Sequence, residues 1–158
     1  MVVVDVRQLV ENLEGINAQE TFAKATPPER RALAAKVTKH LLHLIATVSP
    51  GARRGATAPF AWARFMLVEA GDWQPRSLAG AFQDALPLRS TEADPLPVRA
   101  VARIARELET LDAAYAMPTL RRFLALDAVT LPEAERHSLD ALGDWVEAMI
   151  CDGTTGQV

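Results

Sequence analysis

The run Pro50-Gly51-Ala52-Arg53-Arg54-Gly55-Ala56-Thr57-Ala58-Pro59 sets two adjacent guanidiniums among small side chains. Small residues let a backbone come close to a phosphate, backbone N–H groups can be aimed at it, and paired guanidiniums form charge-assisted forks on its oxygens. The surroundings strengthen this chemistry. From Arg30 to Val68 there is no Asp or Glu, whereas Arg30, Arg31, Lys36, Lys39, Arg53, Arg54 and Arg64 all fall inside, with His40 and His43 between them. Such a charge bias is the electrostatic mark of a surface that meets a polyanion. An ordinary solvated loop has a similar composition, and the Gly-x-x-x-x-Gly-Lys-Ser/Thr pattern of a nucleotide-binding loop is missing.

Other reactive residue types are thinly spread. His40 and His43 stand three apart on one predicted helix, but a metal needs further ligands, and only His137 and Cys151 remain; surface or edge-of-core histidines are the expectation. No nucleophile elbow supports a Ser-His-Asp triad, so no catalytic residue is assigned and the chain is expected not to be an enzyme. No cofactor is implied. Cys151 has no flanking basic residue to favour its thiolate and no partner cysteine, which suits a reducing cytoplasm. Arg99, Arg103 and Arg106 alternate with acids and read as a solvated helix face, as does Arg121-Arg122. Phe60, Trp62 and Phe65 flank the basic loop and suit base stacking, although aromatic residues beside a strand belong more often to the core.

The elements that must hold these residues are visible in the pattern. Thr26-Pro27-Pro28-Glu29 has the capping-box form and opens a helix to Val48, with Leu33, Val37, Leu41, Leu44 and Val48 as its predicted buried stripe and Lys36, Lys39 and His43 opposite. Pro50-Gly51 ends it. Trp62, Arg64, Met66 and Val68 alternate with Ala63, Phe65, Leu67 and Glu69 as a strand with two chemically different faces, and Ser77 caps a short helix through Phe82. Leu86 to Pro97 reads as an extended connection. Val98, Val101, Ile104 or Ala105, Leu108 and Leu111 place a stripe on a second long helix, Arg122 to Leu126 forms a short strand, and Leu139, Leu142, Trp145, Val146 and Met149 specify a last helix. At the start, Val2-Val3-Val4-Asp5-Val6 reads as a strand paired antiparallel with Phe65 to Val68, followed by helical spacing at Leu9, Val10 and Leu13 up to a stop at Gly15. The expected class is α+β, with more helix than strand.

Size permits this fold. A chain of 158 residues suits one domain and buries close to ~70% of its unfolded surface. Residues 1–150 are the expected domain and 151–158 a frayed tail. The net charge of −3 conceals a basic middle and an acidic last third, where three Arg face eight acids from Leu111 onward. No apolar run approaches a membrane span and no signal peptide is evident, so a soluble cytoplasmic protein without a membrane partner is expected.

Several segments together resemble one family. Val3-Val4-Asp5-Val6-Arg7-Gln8-Leu9-Val10-Glu11-Asn12-Leu13, His40-Leu41-Leu42-His43-Leu44-Ile45-Ala46-Thr47, Pro50 to Arg53, Phe65-Met66-Leu67-Val68 and Ser77-Leu78-Ala79-Gly80-Ala81-Phe82 are similar, in order, to the C-terminal half of the CasC family. That family is the repeated backbone subunit of the type I-E CRISPR Cascade complex. The resemblance implies a helix-rich part of a modified RNA-recognition-motif (ferredoxin-like) palm with a short antiparallel sheet. It also implies a non-catalytic scaffold that grips CRISPR RNA by its backbone while base pairing reads the target. Its partners would be CRISPR RNA, other Cascade subunits and copies of itself, with target DNA engaged indirectly. Arg53 matches the family's basic residue after Pro-Gly-Ala and Arg54 follows it; Gly51 provides the turn and Thr57 donates to phosphate. The family's N-terminal half and thumb have no counterpart here, so the expectation is a C-terminal fragment or one piece of a split subunit. Such a piece would associate through the open sheet edge expected at Val2. A protein–protein assembly module without direct RNA contact is the alternative.

Overall fold

The computed structural model describes residues 1–15, 28–48, 61–87, 94–117 and 120–153. These form an α+β fold that divides into two compact units, Arg64–His137 and Val2–Ala63 with Ser138–Gln157.

In the second unit all the described regular structure is helical. Helix α1, Val6–Glu14, starts where the Asp5 carboxylate accepts from the Gln8 N–H at 2.9 Å, and it stops at Gly15, whose φ of 64° lets its N–H return to the Glu11 carbonyl. An N-cap acceptor satisfies a donor that the helix itself leaves orphaned. This corrects the strand expected over Val2–Val6. Val6 is already helical, and Val2 to Val4 are non-helical, unpaired and largely exposed. The cap at Asp5 supplies a specific bond that starts the helix at Val6, whereas the β-branched run before it supplies only propensity.

Helix α2, Pro28–Thr47, matches the predicted element to within a residue at each end, although Thr26 and Pro27 lie outside the described residues. Its orientation differs from expectation. Ala34, Ala35, Leu42 and Ala46 are buried, while Leu33, Val37, Leu44 and Val48 are exposed, Leu44 by 55%. The most apolar stripe of the helix therefore faces outward and an alanine-rich stripe faces inward.

The closing helix of the chain, Leu139–Asp152 (α4), is capped by Ser138, whose hydroxyl accepts from the Ala141 N–H, and by Gly153 at φ 69°. It runs past the expected boundary at residue 150. It packs on α2 with Leu142, Gly143, Val146 and Ile150 buried. Arg31 reaches its last turn at Cys151, Lys39 its middle at Asp144 and Glu147, and His43 its first turn at Asp140, so α2 and α4 run antiparallel. Gly143 leaves room for this approach. A Cβ there would sit 3.1 Å from both His43 Nε2 and Lys39 Cγ, closer than carbon normally tolerates.

In the other unit, strand β1 (Phe65–Ala70) pairs antiparallel with β2 (Leu120–Ala125), and β2 pairs parallel with β3 (Ala134–Arg136), giving the order β1-β2-β3. The sheet is thus mixed, and the Val2–Val6 segment has no place in it. A parallel return over eight residues is short. It is accomplished by burying Leu131 and by a left-handed Glu133 at φ 50°. Helix α3, Leu96–Tyr115, covers one face. Its Val101 and Leu108 join Phe123, Ala125 and Leu131, with Phe65, Leu67, Leu78, Ile104 and Ala105 packed against them. The predicted α3 stripe is the observed one. Pro97, expected in the linker, lies in the first turn of α3, where its missing N–H costs nothing.

Candidate functional site

Gly51, Arg53, Arg54 and Thr57 lie outside the described residues. The rest of the acid-free run is described from Pro28 to Val48 and from Ala61 onward, and the fold changes what its charges are worth. Lys39 Nζ donates to Asp144 Oδ1 at 2.6 Å and to Glu147 Oε2 at 2.7 Å. Those two bonds raise the ammonium's pKa above its ordinary value, with desolvation opposing them. Arg64 Nη2 donates to both carboxylate oxygens of Asp127, at 3.0 and 3.2 Å. Arg31 donates to the Cys151 carbonyl at 3.5 Å. A stretch without acids in sequence is therefore supplied with them by elements more than sixty residues away.

Arg30 and Lys36 remain exposed on the outer side of α2, as does His40, whose Nδ1 lies 2.7 Å from the Lys36 carbonyl oxygen. On that side they rim Leu33, Val37 and Leu44, so the outer face of α2 is apolar along its middle and cationic at its margins. Lys39 and His43 were expected opposite the buried stripe. Both instead face α4, with His43 Nε2 3.7 Å from Asp140.

The aromatic residues beside the basic run separate. Phe65 is core, its ring 6.4 Å from that of Phe123. Trp62 is 71% exposed, against the expectation that it would be buried. Its segment is nevertheless fixed, because the Ala63 N–H donates to the Ala46 carbonyl at 2.8 Å. Phe60 lies outside the described residues.

The arginines of α3 and β2 are structural to a degree that the sequence did not indicate. Arg99 donates to the Pro87 carbonyl at 2.9 Å and Arg103 to the Asp84 carbonyl at 2.6 Å, so both pin the segment after the short 3-10 turn Ala79–Phe82; only Arg106 fits the expected solvated face. Arg121, its side chain 1% exposed, is bound by Asp112 at 2.7 Å and Glu69 at 3.3 Å, and Arg76 bridges the same carboxylates at 2.8 and 2.7 Å. Two cations and two anions close one neutral network at the end of the buried sheet face, where Glu69 and Arg121 are cross-strand partners. Hydrogen bonds from Arg121 hold the Asp112 carboxyl below its usual range, burial opposes them, and Arg76 adds to the lowering. For Arg76, burial works against the charge but its two carboxylates outweigh it, leaving the guanidinium raised. Nothing local in the sequence joins residues 69, 76, 112 and 121.

Among the described residues, no group of three or more His, Cys, Asp and Glu is placed to hold a metal ion, and no helix is long and apolar enough to cross a membrane.

Comparison with known proteins gives a consistent picture at the level of fold and family. A chain of a CRISPR RNA-guided surveillance complex superposes with a TM-score of 0.68 at 21% identity, over 95% of this chain and 50% of that one. A chain of a CRISPR RNA-guided surveillance complex described as pre-nicking gives 0.69 at 22% identity, over 93% and 36%. At these identities the likeness is one of fold, and this chain spans half or less of the solved chains' lengths. No curated protein matches the sequence. The family model of the CT1975-like proteins (Cas_CT1975) matches residues 1–148, nearly the entire sequence. The chain belongs to the CT1975-like protein family.

Proposed function

We propose that this chain acts as a non-catalytic, CRISPR-RNA-binding scaffold subunit, or the C-terminal part of one, in a Cascade complex of type I-E. Family membership over residues 1–148 carries this reading, and the fold in common with chains of CRISPR RNA-guided surveillance complexes supports it. Arg53 and Arg54 contact the guide's phosphates, Gly51 makes the turn and Thr57 donates a hydroxyl. The exposed Arg30 and Lys36 add positive potential along α2. Other subunits, including copies of this chain, are its protein partners, and target DNA is met through the guide.

The test is salt dependence. Each phosphate neutralised on a single strand steepens the slope of log affinity against log salt by about 0.7. Arg53→Ala with Arg54→Ala is expected to weaken binding of single-stranded RNA and to flatten that slope by about 1.4. Unchanged affinity and slope would clear the loop of the role.

A second reading, an assembly module without direct RNA contact, is favoured by one observation. The outward stripe Leu33, Val37 and Leu44 is a large apolar surface left on a helix whose inner face is already packed. Under that reading Leu44→Asp abolishes assembly with partner subunits while the Arg53/Arg54 double variant assembles normally.

A further inference from the structure

Trp62 is more exposed than any other aromatic among the described residues. Three features distinguish it from a stray surface aromatic. Its neighbours are Ala61 and Ala63, too small to cover either face of the indole. Its backbone does not swing freely, because the Ala63 N–H is bound to the Ala46 carbonyl in the last turn of α2. It also stands, in sequence, inside the acid-free run from Arg30 to Val68, with the adjacent arginine pair Arg53-Arg54 upstream, although the fold pairs its neighbour Arg64 with Asp127. The other exposed aromatics have a different setting. Trp73 adjoins Asp72, Phe82 stands two residues before Asp84, and Tyr115 follows Glu109 and Asp112 on α3.

An indole held open on a fixed segment within a cationic run has the properties of a stacking platform. Every base offers a π-face, so such a contact adds affinity without demanding sequence, and acids nearby would repel the strand that carries the base. We infer that Trp62 stacks on an unpaired base of single-stranded RNA. This rests on the RNA-binding reading above and deepens it, because phosphate contacts alone leave the bases untouched.

The experiment titrates the full 158-residue chain with a uridine-rich RNA oligonucleotide and, separately, with inorganic polyphosphate, following tryptophan fluorescence and affinity at several salt concentrations. Trp62→Ala is expected to lose roughly 5- to 150-fold in RNA affinity together with most of the quenching, at an unchanged salt slope. Its affinity for polyphosphate should stay as it was. Trp62→Phe should restore much of the loss, and Trp73→Ala should bind as the wild type does. Because the side chain is exposed, unchanged circular dichroism and melting temperature are expected for all three variants. If Trp62→Ala binds RNA normally while the Arg53/Arg54 double variant does not, the backbone reading stands and the stacking inference falls. If the wild type has no affinity for RNA, both fall. If Trp62→Ala keeps its RNA affinity but loses association with a protein subunit, Trp62 is a protein contact and the inference is overturned.

Discussion

The two long helices, α3 of the sheet unit and α2 of the helical unit, treat their large apolar side chains differently. In the sheet unit, Val101 and Leu108 of α3 and Phe123 of β2 point into one core, and the polar end of that core is closed by a neutral network of Glu69, Arg76, Asp112 and Arg121. In the helical unit, α2 turns Ala34, Ala35 and Ala46 inward and leaves Leu33, Val37 and Leu44 outside. Buried alanines on α2, and Gly143 where α4 meets it, permit close helix approach, which dispersion rewards over many small contacts. An outward leucine stripe contributes nothing comparable to the fold. Helix α3 thus places its apolar stripe in a core, whereas α2 leaves much of its own exposed, the kind of surface that marks interaction sites.

Truncation at the two kinds of leucine tests this contrast most strongly. Leu108→Ala and Leu142→Ala, both at sites with no exposure, should each cost about 3 kcal/mol, whereas Leu33→Ala and Leu44→Ala should stay within about 0.5 kcal/mol. Denaturant melts measure the difference. Comparable losses at Leu44 and Leu108 would mean that the outer stripe is core after all.

Next in size is the network. Asp112→Asn removes a carboxylate shared by two arginines, one of them almost fully enclosed, and should cost about 2 kcal/mol at neutral pH, with Glu69 limiting the loss. The same substitution alters the acid response. A carboxyl whose folded pKa lies below its unfolded one binds fewer protons when folded. Its contribution is complete above the unfolded value of about 3.9 and fades as pH falls through the lower folded value. The wild type should thus lose stability over that acid window by more than Asp112→Asn does, as read from melting temperatures between neutral pH and pH ~2.

At the seam of the helical unit, Gly143→Leu should cost about 1–3 kcal/mol through overpacking against Lys39 and His43. The smallest effect is expected at the end of α3. Ala116 adopts φ 48°, a left-handed conformation that disfavours a Cβ. Ala116→Gly should raise stability by about 0.5 kcal/mol, the relief of that strain being partly offset by glycine's greater freedom when unfolded.

Legibility in the sequence followed the range of the interactions. The α3 stripe, strand β1, the stop at Gly15 and the last helix were readable because period, cap and glycine act within a few residues. The stripe on α2 misled because periodicity reports where apolar residues cluster, and Leu33, Val37 and Leu44 do cluster, though facing outward. At the start of the chain, β propensity alone made no strand of Val2 to Val4, and the cap at Asp5 drew Val6 into a helix. Neutralisation of Lys39 and Arg64 was invisible because their acids arrive from distant elements. The candidate RNA-binding residues were read from local chemistry and family pattern alone.

Photo-crosslinking tests the central claim most directly. The wild-type chain, bound to a single-stranded RNA carrying 4-thiouridine, is irradiated and digested, and the crosslinked peptides are identified by mass spectrometry. RNA held by Arg53 and Arg54 and stacked on Trp62 should crosslink within residues 50–64, in a salt-sensitive manner. Crosslinks confined to α3 or to the acidic last third, or none under conditions where the complex assembles, would contradict the account.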